Sequence, residues 1–212
     1  MITIKAFPSG PFATNAYIVA CPATQQAAII DPAPGSSEFL RAYLTDNKLT
    51  LDKILLTHSH WDHIADVAAL KSIFSAPVYI FPEDAPNLET PGIDGVPCYI
   101  QITGVKPDHL MHEGDVITIG SLSFEVIHTP GHTPGGVCFY CKQHQRLFSG
   151  DTLFKGTIGN LNLPTGQPQR MWPSLTKLSK LPAETIVYPG HGASTSIGAE
   201  SWLSDAKRVF GP

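Results

Sequence analysis

The sequence predicts an α/β fold in a single domain that spans residues 1–212. Short apolar segments typical of strands alternate with segments of helical periodicity, which is the pattern of α/β proteins. The length suits one domain, and no repeat, low-complexity segment or linker divides it. Hydrophobic residues make up 42% of the chain, which is enough to bury a substantial core.

The first part of the chain is predicted to contain three strands and a helix, followed by a strand, a second helix and a further strand. Strands are predicted at MITIKAF (1–7), NAYIVA (15–20) and AAIIDP (27–32). The segment SSEFLRAYLTDNKL (36–49) is predicted to be a helix, because Ser36 or Ser37 suits the N-cap and one face is apolar. There follow a predicted strand DKILLT (52–57), a continuous helix DHIADVAALKSIF (62–74) and a strand APVYIF (76–81).

The second part begins with residues 82–115, which are rich in Pro, Gly and Asp and are predicted to be irregular. Strands are then predicted at DVITIG (115–120), LSFEVIHT (122–129), GVCFYCK (136–142) and RLFSG (146–150). Residues 152–169 form a loop too long for a simple turn, so we expect it to be functional or to cover a site. A helix QRMWPSLTKLSKL (169–181) with Pro173 in its first turn, a strand ETIVYPG (184–190) and a terminal helix GAESWLSDAKRVF (198–210) complete the prediction.

Charge and composition exclude several classes of partner. The formal net charge is -4 and no block of Lys or Arg occurs, which argues against a nucleic-acid or anionic membrane surface. No run approaches the roughly 20 apolar residues of a membrane span, and the N-terminus lacks the pattern of a signal peptide. We therefore expect a soluble, cytoplasmic protein. Cys138 and Cys141 are predicted to be ordinary strand cysteines on opposite faces of their strand.

The segment THSHWDH (57–63) concentrates four residues of metal-ligand type: His58, His60, Asp62 and His63. On an extended segment the first three project to one side, because alternate residues of a strand share a face. A helix that starts near Asp62 would turn the chain and aim His63 separately. A solvated polar turn is the alternative, but four such residues at this spacing favour a metal site.

Three further ligand-type residues follow a glycine at the end of an apolar strand: His132, Asp151 and His191. Glycine allows a sharp turn or a close approach there, and residues just past rigid strand ends can converge on one edge of a sheet. One tripod and one divergent pair suggest two metals, each with three or more protein ligands and a shared open position for water. That arrangement is typical of a catalytic metal site.

Other polar residues are assigned supporting or surface positions. Asp31 is predicted to accept a hydrogen bond from a ligating histidine, because the second ring nitrogen of such a histidine needs an acceptor. His128 is predicted to support the site or to be structural. His109, His112 and His144 are predicted to be exposed.

Four motifs in order, THSHWDH, HTPGHTPGG, FSGDTLF and YPGHG, resemble those of the metallo-β-lactamase superfamily. Within it the chain is most similar to the shorter, bacterial-type members of the glyoxalase II (hydroxyacylglutathione hydrolase) branch. The resemblance implies a four-layer αββα sandwich, in which two mixed sheets pack together with helices outside. It also implies a binuclear centre at one edge of the sheets.

By this resemblance, one metal would be bound by His58, His60 and His132, and the other by Asp62, His63 and His191. Asp151 would bridge the two. Asp62 and Asp151 would also serve catalysis, because they hold the metals and can accept a hydrogen bond from the nucleophile. The expected cofactors are two divalent ions, zinc first, with iron or manganese as alternatives.

The expected activity is hydrolysis of a thioester such as S-lactoylglutathione by a hydroxide that bridges the metals. The expected partner is a small-molecule thioester, and the sequence does not predict an oligomeric state. The chain departs from the family in three places. About twenty residues follow YPGHG, so we expect most of the glutathione-binding helical extension of animal and plant members to be absent. Asn160 and Asn162 replace a usual Arg and Asp, and Asp66 lies where paired glycines are usual.

Three alternatives compete with the thioester hydrolase. A persulfide dioxygenase would use a single iron at the positions of His58, His132 and Asp151, although that family generally keeps the Arg–Asp pair missing here. A lactonase or phosphodiesterase could use the same binuclear chemistry. A non-enzymatic binding domain with a vestigial site is disfavoured by the complete ligand set. Asp151 argues against a true β-lactamase, whose zinc sites typically carry a Cys or no bridging carboxylate there.

Overall fold

A computed structural model describes residues 1–211 of the chain. Its strands, labelled β1 to β14 in chain order, are Thr3–Ser9, Thr14–Cys21, Gln26–Ile30, Thr50–Leu55, Val78–Ile80, His109–Leu110, Val116–Ile119, Leu122–His128, Val137–Cys141, Arg146–Gly150, Leu153–Phe154, Thr157–Ile158, Ile186–Pro189 and Thr195–Ser196. Its α-helices, labelled α1 to α6, are Ser37–Asp46, Trp61–Ile64, Val67–Phe74, Ala85–Glu89, Pro168–Leu178 and Ala206–Phe210. Short 3-10 helices lie at Pro82–Asp84, Ile197–Ala199 and Leu203–Asp205.

The strands form two six-stranded mixed sheets and one small hairpin. The first sheet has the order β1-β2-β3-β4-β5-β6, with β3 to β6 parallel and the first two pairings antiparallel. The second sheet has the order β14-β13-β10-β9-β8-β7, in which only β10 and β13 pair in parallel. Strands β11 and β12 pair with each other.

Three apolar clusters divide the molecule into four layers. On β2, Ile18 packs with α1 and α3 on the outer face of the first sheet, whereas Val19 belongs to a cluster between the two sheets. On β9, Phe139 faces that same inner cluster and Tyr140 packs with α5 outside the second sheet. Adjacent strand residues point to opposite faces, so both sheets are covered on both sides. The expected αββα sandwich is confirmed.

Every strand predicted from the sequence corresponds to an observed strand. The two cysteines of the CxxC motif are buried on opposite faces of β9, because Cys138 packs with the α5 cluster and Cys141 with the cluster between the sheets. In the described residues 1–211, no helix has the length and apolar character that crossing a membrane requires.

The continuous helix predicted over residues 62–74 is wrong, because the structure divides it into α2 and α3. The break lies at Asp66, whose backbone N–H donates to the carbonyl oxygen of Pro32 instead of to a carbonyl one helical turn earlier. The side chain of Asp66 explains why its backbone N–H bonds Pro32 and not the preceding helical turn. Its two carboxylate oxygens accept hydrogen bonds from the backbone N–H groups of Gly35 (3.2 Å) and Ser37 (2.7 Å) at the start of α1.

Asp66 therefore caps a helix that lies about thirty residues away in the sequence. Ser36 occupies the N-cap position as predicted, but its hydroxyl makes no capping hydrogen bond. The carboxylate of Asp66 replaces it and also places negative charge at the positive end of the helix. The aspartate that departs from the usual paired glycines thus joins α1 to α3.

Two other helix predictions need correction. Pro173 lies inside α5 and not in its first turn, because the helix begins at Pro168, which as an N1 residue needs no N–H partner. The terminal helix predicted over residues 198–210 is two 3-10 helices followed by the short α6. There Glu200 leaves helical geometry, and its carboxylate accepts from the N–H of Gly156 and the indole of Trp202.

Two segments predicted without regular structure contain short elements. Residues 82–115 include a 3-10 helix, α4 and β6, and β6 pairs with β5 through Tyr79 and His109. The loop over residues 152–169 includes the hairpin of β11 and β12. Pieces of two to five residues are too short to produce a periodic pattern, so tertiary contacts determine them.

Replacing Asp66 by Ala should lower the free energy of unfolding by about 1 kcal/mol, because two N–H groups at the start of α1 lose their acceptor. Urea denaturation of the two proteins measures this difference. Asp46→Ala is the matched control, because Asp46 is an exposed acid at the other end of α1. Equal stability of the two variants would contradict the capping role.

Candidate metal centre

The structure brings all seven predicted metal-ligand residues together at one edge of the two sheets. Four of them come from the first sheet, where the chain leaves β4: His58, His60, Asp62 and His63. The other three come from the second sheet, after β8, β10 and β13: His132, Asp151 and His191. The start of β2 meets the last of these loops through a bridge between Thr14 and His191. The site is therefore assembled from both sheets.

Two of the glycines that precede predicted ligands are required by space. At Gly150 the backbone φ is 48°, and a Cβ would lie 2.5 Å from the hydroxyl oxygen of Thr57. At Gly190 a Cβ would lie 2.2 Å from Oδ1 of Asp151. Because both distances are shorter than any real carbon contact, a side chain at either position would displace the residues of the site.

The predicted ligands form two groups of three. The ligand atoms of His58, His60 and His132 all lie within 4.8 Å of one another. Those of Asp62, His63 and His191 satisfy the same condition. The two groups reproduce the division that the family resemblance implies for the two metals.

Asp151 lies between the two groups. Its Oδ2 atom is 3.4 Å from Nε2 of His132, in the first group, and 3.4 Å from Nε2 of His191, in the second. Its Oδ1 atom is 3.4 Å from Nε2 of His63. This carboxylate is placed to contact both members of a metal pair.

Hydrogen bonds assign the tautomer of each histidine in the first group. His132 Nδ1 lies 2.9 Å from the carbonyl oxygen of Asn160, which can only accept, so this nitrogen carries the proton. The Thr165 hydroxyl donates to the carbonyl oxygen of His132, so it accepts from Nε2–H of His60 at 2.9 Å. His58 Nδ1 likewise donates to the Thr57 hydroxyl at 3.0 Å. One ring nitrogen of each histidine is thereby left as a lone pair for the centre.

Hydrogen bonds also orient the ligands of the second group. His63 Nδ1 donates to Oδ2 of Asp31 at 3.0 Å, and His191 Nδ1 donates to the carbonyl oxygen of Phe12 at 3.1 Å. Asp62 accepts from the hydroxyl of Thr14 at 2.7 Å, which fixes the carboxylate orientation. The predicted supporting role of Asp31 agrees with this geometry.

Asp31, His58 and His63 also form a compact group of possible ligands. The carboxylate of Asp31, however, already accepts from the N–H of Thr57 (2.8 Å), the hydroxyl of Thr57 (2.5 Å) and His63. Since the facing nitrogens of the two histidines serve as hydrogen-bond donors, this group orients the centre and does not offer a third metal position.

Burial and neighbouring charges set the protonation of the first group. Burial lowers the pKa of His58 well below its ordinary value, and the nearby imidazoles of His63 and His60 lower it further. Burial also lowers the pKa of His60 to about 3, with His132 contributing in the same direction. These rings are therefore neutral at physiological pH, as metal binding requires.

The second group is dominated by its carboxylates. Burial alone would lower the pKa of His63, but Asp62 and Asp151 outweigh it and raise that pKa to about 9. Burial is likewise outweighed at His191, where Asp151 and Asp62 raise the pKa to about 10. Burial raises the pKa of Asp151, but the adjacent imidazoles hold it at about 2, and they lower the pKa of Asp62 in the same way. Both carboxylates are ionised at neutral pH, which suits a cation.

Three buried polar atoms that face the centre lack a hydrogen-bond partner among residues 1–211: Nε2 of His58, Nε2 of His132 and Oδ1 of Asp151. Unpaired buried polar atoms are costly, by about 1–3 kcal/mol each, and native proteins rarely leave them so. Their clustering at the point where two ligand groups meet is explained by metal binding. The donor set of imidazole and carboxylate suits zinc, iron or manganese.

Sequence reasoning missed several residues that hold the ligands. Thr14, Thr57 and Thr165 each bond a predicted ligand, and Thr165 lies in the long loop expected to cover a site. Asp84 is also buried, and its carboxylate accepts from the N–H of Ser59 (2.9 Å) and of Gly135 (2.7 Å). It thereby ties the first ligand segment to the loop after His132. A single threonine or aspartate carries no sequence signal for such a contact.

His128 and Asn160 lie outside the predicted ligand set. His128 stacks on Phe81, with ring centroids 4.0 Å apart, and its Nε2 bonds the carbonyl oxygen of Pro134, so it is structural. Asn160 holds His132 through its backbone carbonyl, while its side-chain oxygen accepts from the N–H of Asn162.

A cavity of about 460 Å³ opens above the ligands and includes His60, Asp62, His132, Asp151 and His191 in its walls. A larger cavity of about 630 Å³ lies on the outer face of the second sheet near the end of α5, and none of the predicted ligands lines it. The 460 Å³ cavity is the candidate reaction site, because five of the predicted ligands form part of its wall.

Comparison with known sequences gives matches along almost the whole chain. A family model described as the metallo-beta-lactamase superfamily matches residues 9–191. An uncharacterized protein of Aquifex aeolicus (strain VF5) is 39% identical over 211 residues, which cover 99% of this chain and 95% of that protein. Hydroxyacylglutathione hydrolase GloC of Haemophilus influenzae is 32% identical over 212 residues, which cover 94% of this chain and 95% of that protein.

Solved structures give the same result. The BLEG-1 B3 metallo-beta-lactamase superposes with a TM-score of 0.85 and 40% identity, covering 95% of this chain and 100% of that one. TTHA1623 in a di-iron-bound form superposes with a TM-score of 0.80 and 37% identity, covering 92% of this chain and 96% of that one. ETHE1 from Myxococcus xanthus superposes with a TM-score of 0.76 and 29% identity, covering 95% of this chain and 83% of that one.

Replacing Thr165 by Val should weaken metal binding about 10- to 100-fold, because Nε2 of His60 loses its acceptor and the ring loses its fixed orientation. Competition with a chromogenic chelator measures the affinity. Thr157→Val is the matched control, because Thr157 is an exposed residue of β12 in the same loop. Equal affinity in both variants would show that this hydrogen bond does not position the ligand.

Proposed function

Because this chain belongs to the metallo-beta-lactamase superfamily, we propose that it is a metal-dependent hydrolase that cleaves a thioester at two divalent ions. S-lactoylglutathione is the first substrate to test, since a relative 32% identical over nearly its whole length is a hydroxyacylglutathione hydrolase. The proposed partner is a small molecule, in keeping with the absence of basic blocks from the sequence.

One observation carries the proposal: two ligand groups share one carboxylate. Oδ2 of Asp151 is equally far, 3.4 Å, from a histidine of each group, and both groups present at least three ligand atoms. Two ions held by these residues would leave a position for water and substrate, as is typical of hydrolytic binuclear sites. A closed structural site would instead surround a single ion with four protein ligands.

Divalent ions bound by these residues would lower the pKa of a coordinated water and polarise the thioester carbonyl. The chain's own contribution is orientation. The Thr14 hydroxyl holds the carboxylate of Asp62, and Asp31 holds the ring of His63, so the donor atoms are fixed before substrate arrives. Trp61, which is almost fully buried beside these ligands, excludes water from one wall of the cavity.

Zinc is the proposed metal, and iron is the alternative favoured by the di-iron form of a neighbour 37% identical to this chain. The imidazole and carboxylate ligands accept either metal, so geometry and availability decide between them. Asp151 argued against a β-lactamase from the sequence, but a neighbour 40% identical, the BLEG-1 B3 metallo-beta-lactamase, makes β-lactam hydrolysis the second candidate function. Attack on a strained amide would use the same pair of ions.

Metal analysis combined with a thiol-release assay separates these functions. We expect about two ions per chain and release of glutathione from S-D-lactoylglutathione by the metal-loaded protein. A nitrocefin assay on the same sample tests β-lactam hydrolysis, and oxygen consumption with glutathione persulfide tests a dioxygenase. About one iron per chain with oxygen uptake and without thiol release would replace the proposed hydrolase by the dioxygenase.

Asp151→Ala should remove most of the turnover, by more than about 100-fold, and should lower the metal content, because both ions lose a shared ligand. Metal quantitation and the thiol-release rate are measured on the same sample. Asp46→Ala, which removes an exposed carboxylate from α1, is the control. Unchanged metal content together with retained turnover in Asp151→Ala would contradict the bridging role.

A further inference from the structure

The walls of the cavity above the metal centre are aromatic and aliphatic. Beyond the metal ligands it is lined mainly by apolar side chains, among them Phe12, Trp61, Val96, Tyr99, Phe154 and Leu163. The uncharged polar groups of the lining are the amide of Asn160, the phenol of Tyr99 and the indole N–H of Trp61, and no Lys or Arg of residues 1–211 contributes to it. Apart from Tyr99, the ionisable side chains among the described residues of the lining are those of the metal ligands.

These apolar walls are attached to the centre itself. The carbonyl oxygen of Phe12 accepts from the ring of His191, and the ring of Phe12 lies 5.3 Å from that of Trp61. Trp61 is in turn the residue between His60 and Asp62 in the first ligand segment. The apolar surface therefore begins directly beside the atoms that would hold the reacting carbonyl, and it cannot move away without moving ligands.

The outer part of the cavity is apolar surface that the rest of the fold leaves open. Tyr99 is 80% exposed and Phe12 is 53% exposed, although both are large rings. Exposed apolar side chains that converge on a catalytic cavity are typical of a ligand site, because the ligand removes them from water. A charged group of the substrate that enters this outer part loses water without meeting a Lys or Arg side chain of the lining.

We propose that the thioester cleaved here carries an uncharged, apolar group next to the scissile bond, and that glutathione is a poor carrier for it. This inference rests on the proposed function and specifies its substrate class. The reaction is hydrolysis: the C–S bond breaks, a C–O bond to water forms, and a proton from water ends on the departing thiol. The two carboxylates of glutathione would find no Lys or Arg partner among the described residues that line the cavity.

Three lactoyl thioesters that differ only in their thiol test the proposal on the metal-loaded protein. The thiols are glutathione, which is charged, N-acetylcysteamine, which is neutral and polar, and benzyl mercaptan, which is neutral and aromatic. We expect kcat/KM to rise in that order, by at least about tenfold between the extremes. Glutathione is the most acidic of the three thiols, so its intrinsic leaving ability opposes the expected order.

The outcomes separate this inference from the proposed function. A higher kcat/KM for the glutathione ester than for the benzyl ester would overturn the apolar substrate class and leave the thioesterase intact. Release from none of the three esters would instead remove the thioesterase itself. Lys155, in the turn between β11 and β12, is the nearest cation along the chain to a lining residue. Selective loss of glutathione-ester turnover in Lys155→Ala would also overturn the proposal.

A gain-of-charge variant provides the reciprocal test. Tyr99→Arg supplies the missing cation at an exposed position of the cavity wall and should shift the ratio of kcat/KM about tenfold toward the glutathione ester. Phe39→Arg is the matched control, because Phe39 is a 61% exposed ring on α1 that does not line the cavity. An equal ratio in the two variants would show that the wall does not select the substrate.

Discussion

The buried carboxylate of Asp31 is the contact on which the centre depends. It lies just past the end of β3, accepts two hydrogen bonds from Thr57 after β4, and accepts a third from His63 in α2. Its backbone adopts a φ of 52°, a conformation that costs a non-glycine residue on the order of 1 kcal/mol. The three hydrogen bonds outweigh this cost and fix the path of the chain through the first ligand segment. The pairing of β3 with β4 thereby positions the ligands that follow β4.

On the side of the second sheet, close approaches of the backbone position the ligands. Gly150 and Gly190 bring their loops so close to Thr57 and Asp151 that no side chain fits, and the N–H of Gly190 bonds the carbonyl oxygen of Gly150. The core between the sheets sets their separation, and close-packed interiors hardly yield. Ligands from opposite sheets therefore meet at contact distance because the apolar layer behind them has a fixed thickness.

The sequence predicted the parts of this architecture that have a local signal. The strands follow from apolar runs, and the two groups of ligands agree with the family resemblance. Alternation correctly grouped His58 with His60, but it wrongly placed Asp62 with them, because α2 begins at Trp61 and Asp62 joins the second group. The failures share a physical cause. The break between α2 and α3 and the capping of α1 both depend on Asp66, whose partners lie far along the chain. The acceptor role of Thr165 is likewise decided by the fold.

Because the ligands are divided between the two sheets, metal binding would stabilise the folded protein. Metal ions bound by these groups would join ligands of the first sheet to ligands of the second. The unfolded chain has no such bonds, so the metal would stabilise the folded state alone. At free metal a thousandfold above the dissociation constant, such linkage adds about 4 kcal/mol to the free energy of unfolding. Cellular metal supply would then govern how long the folded protein persists as well as how fast it reacts.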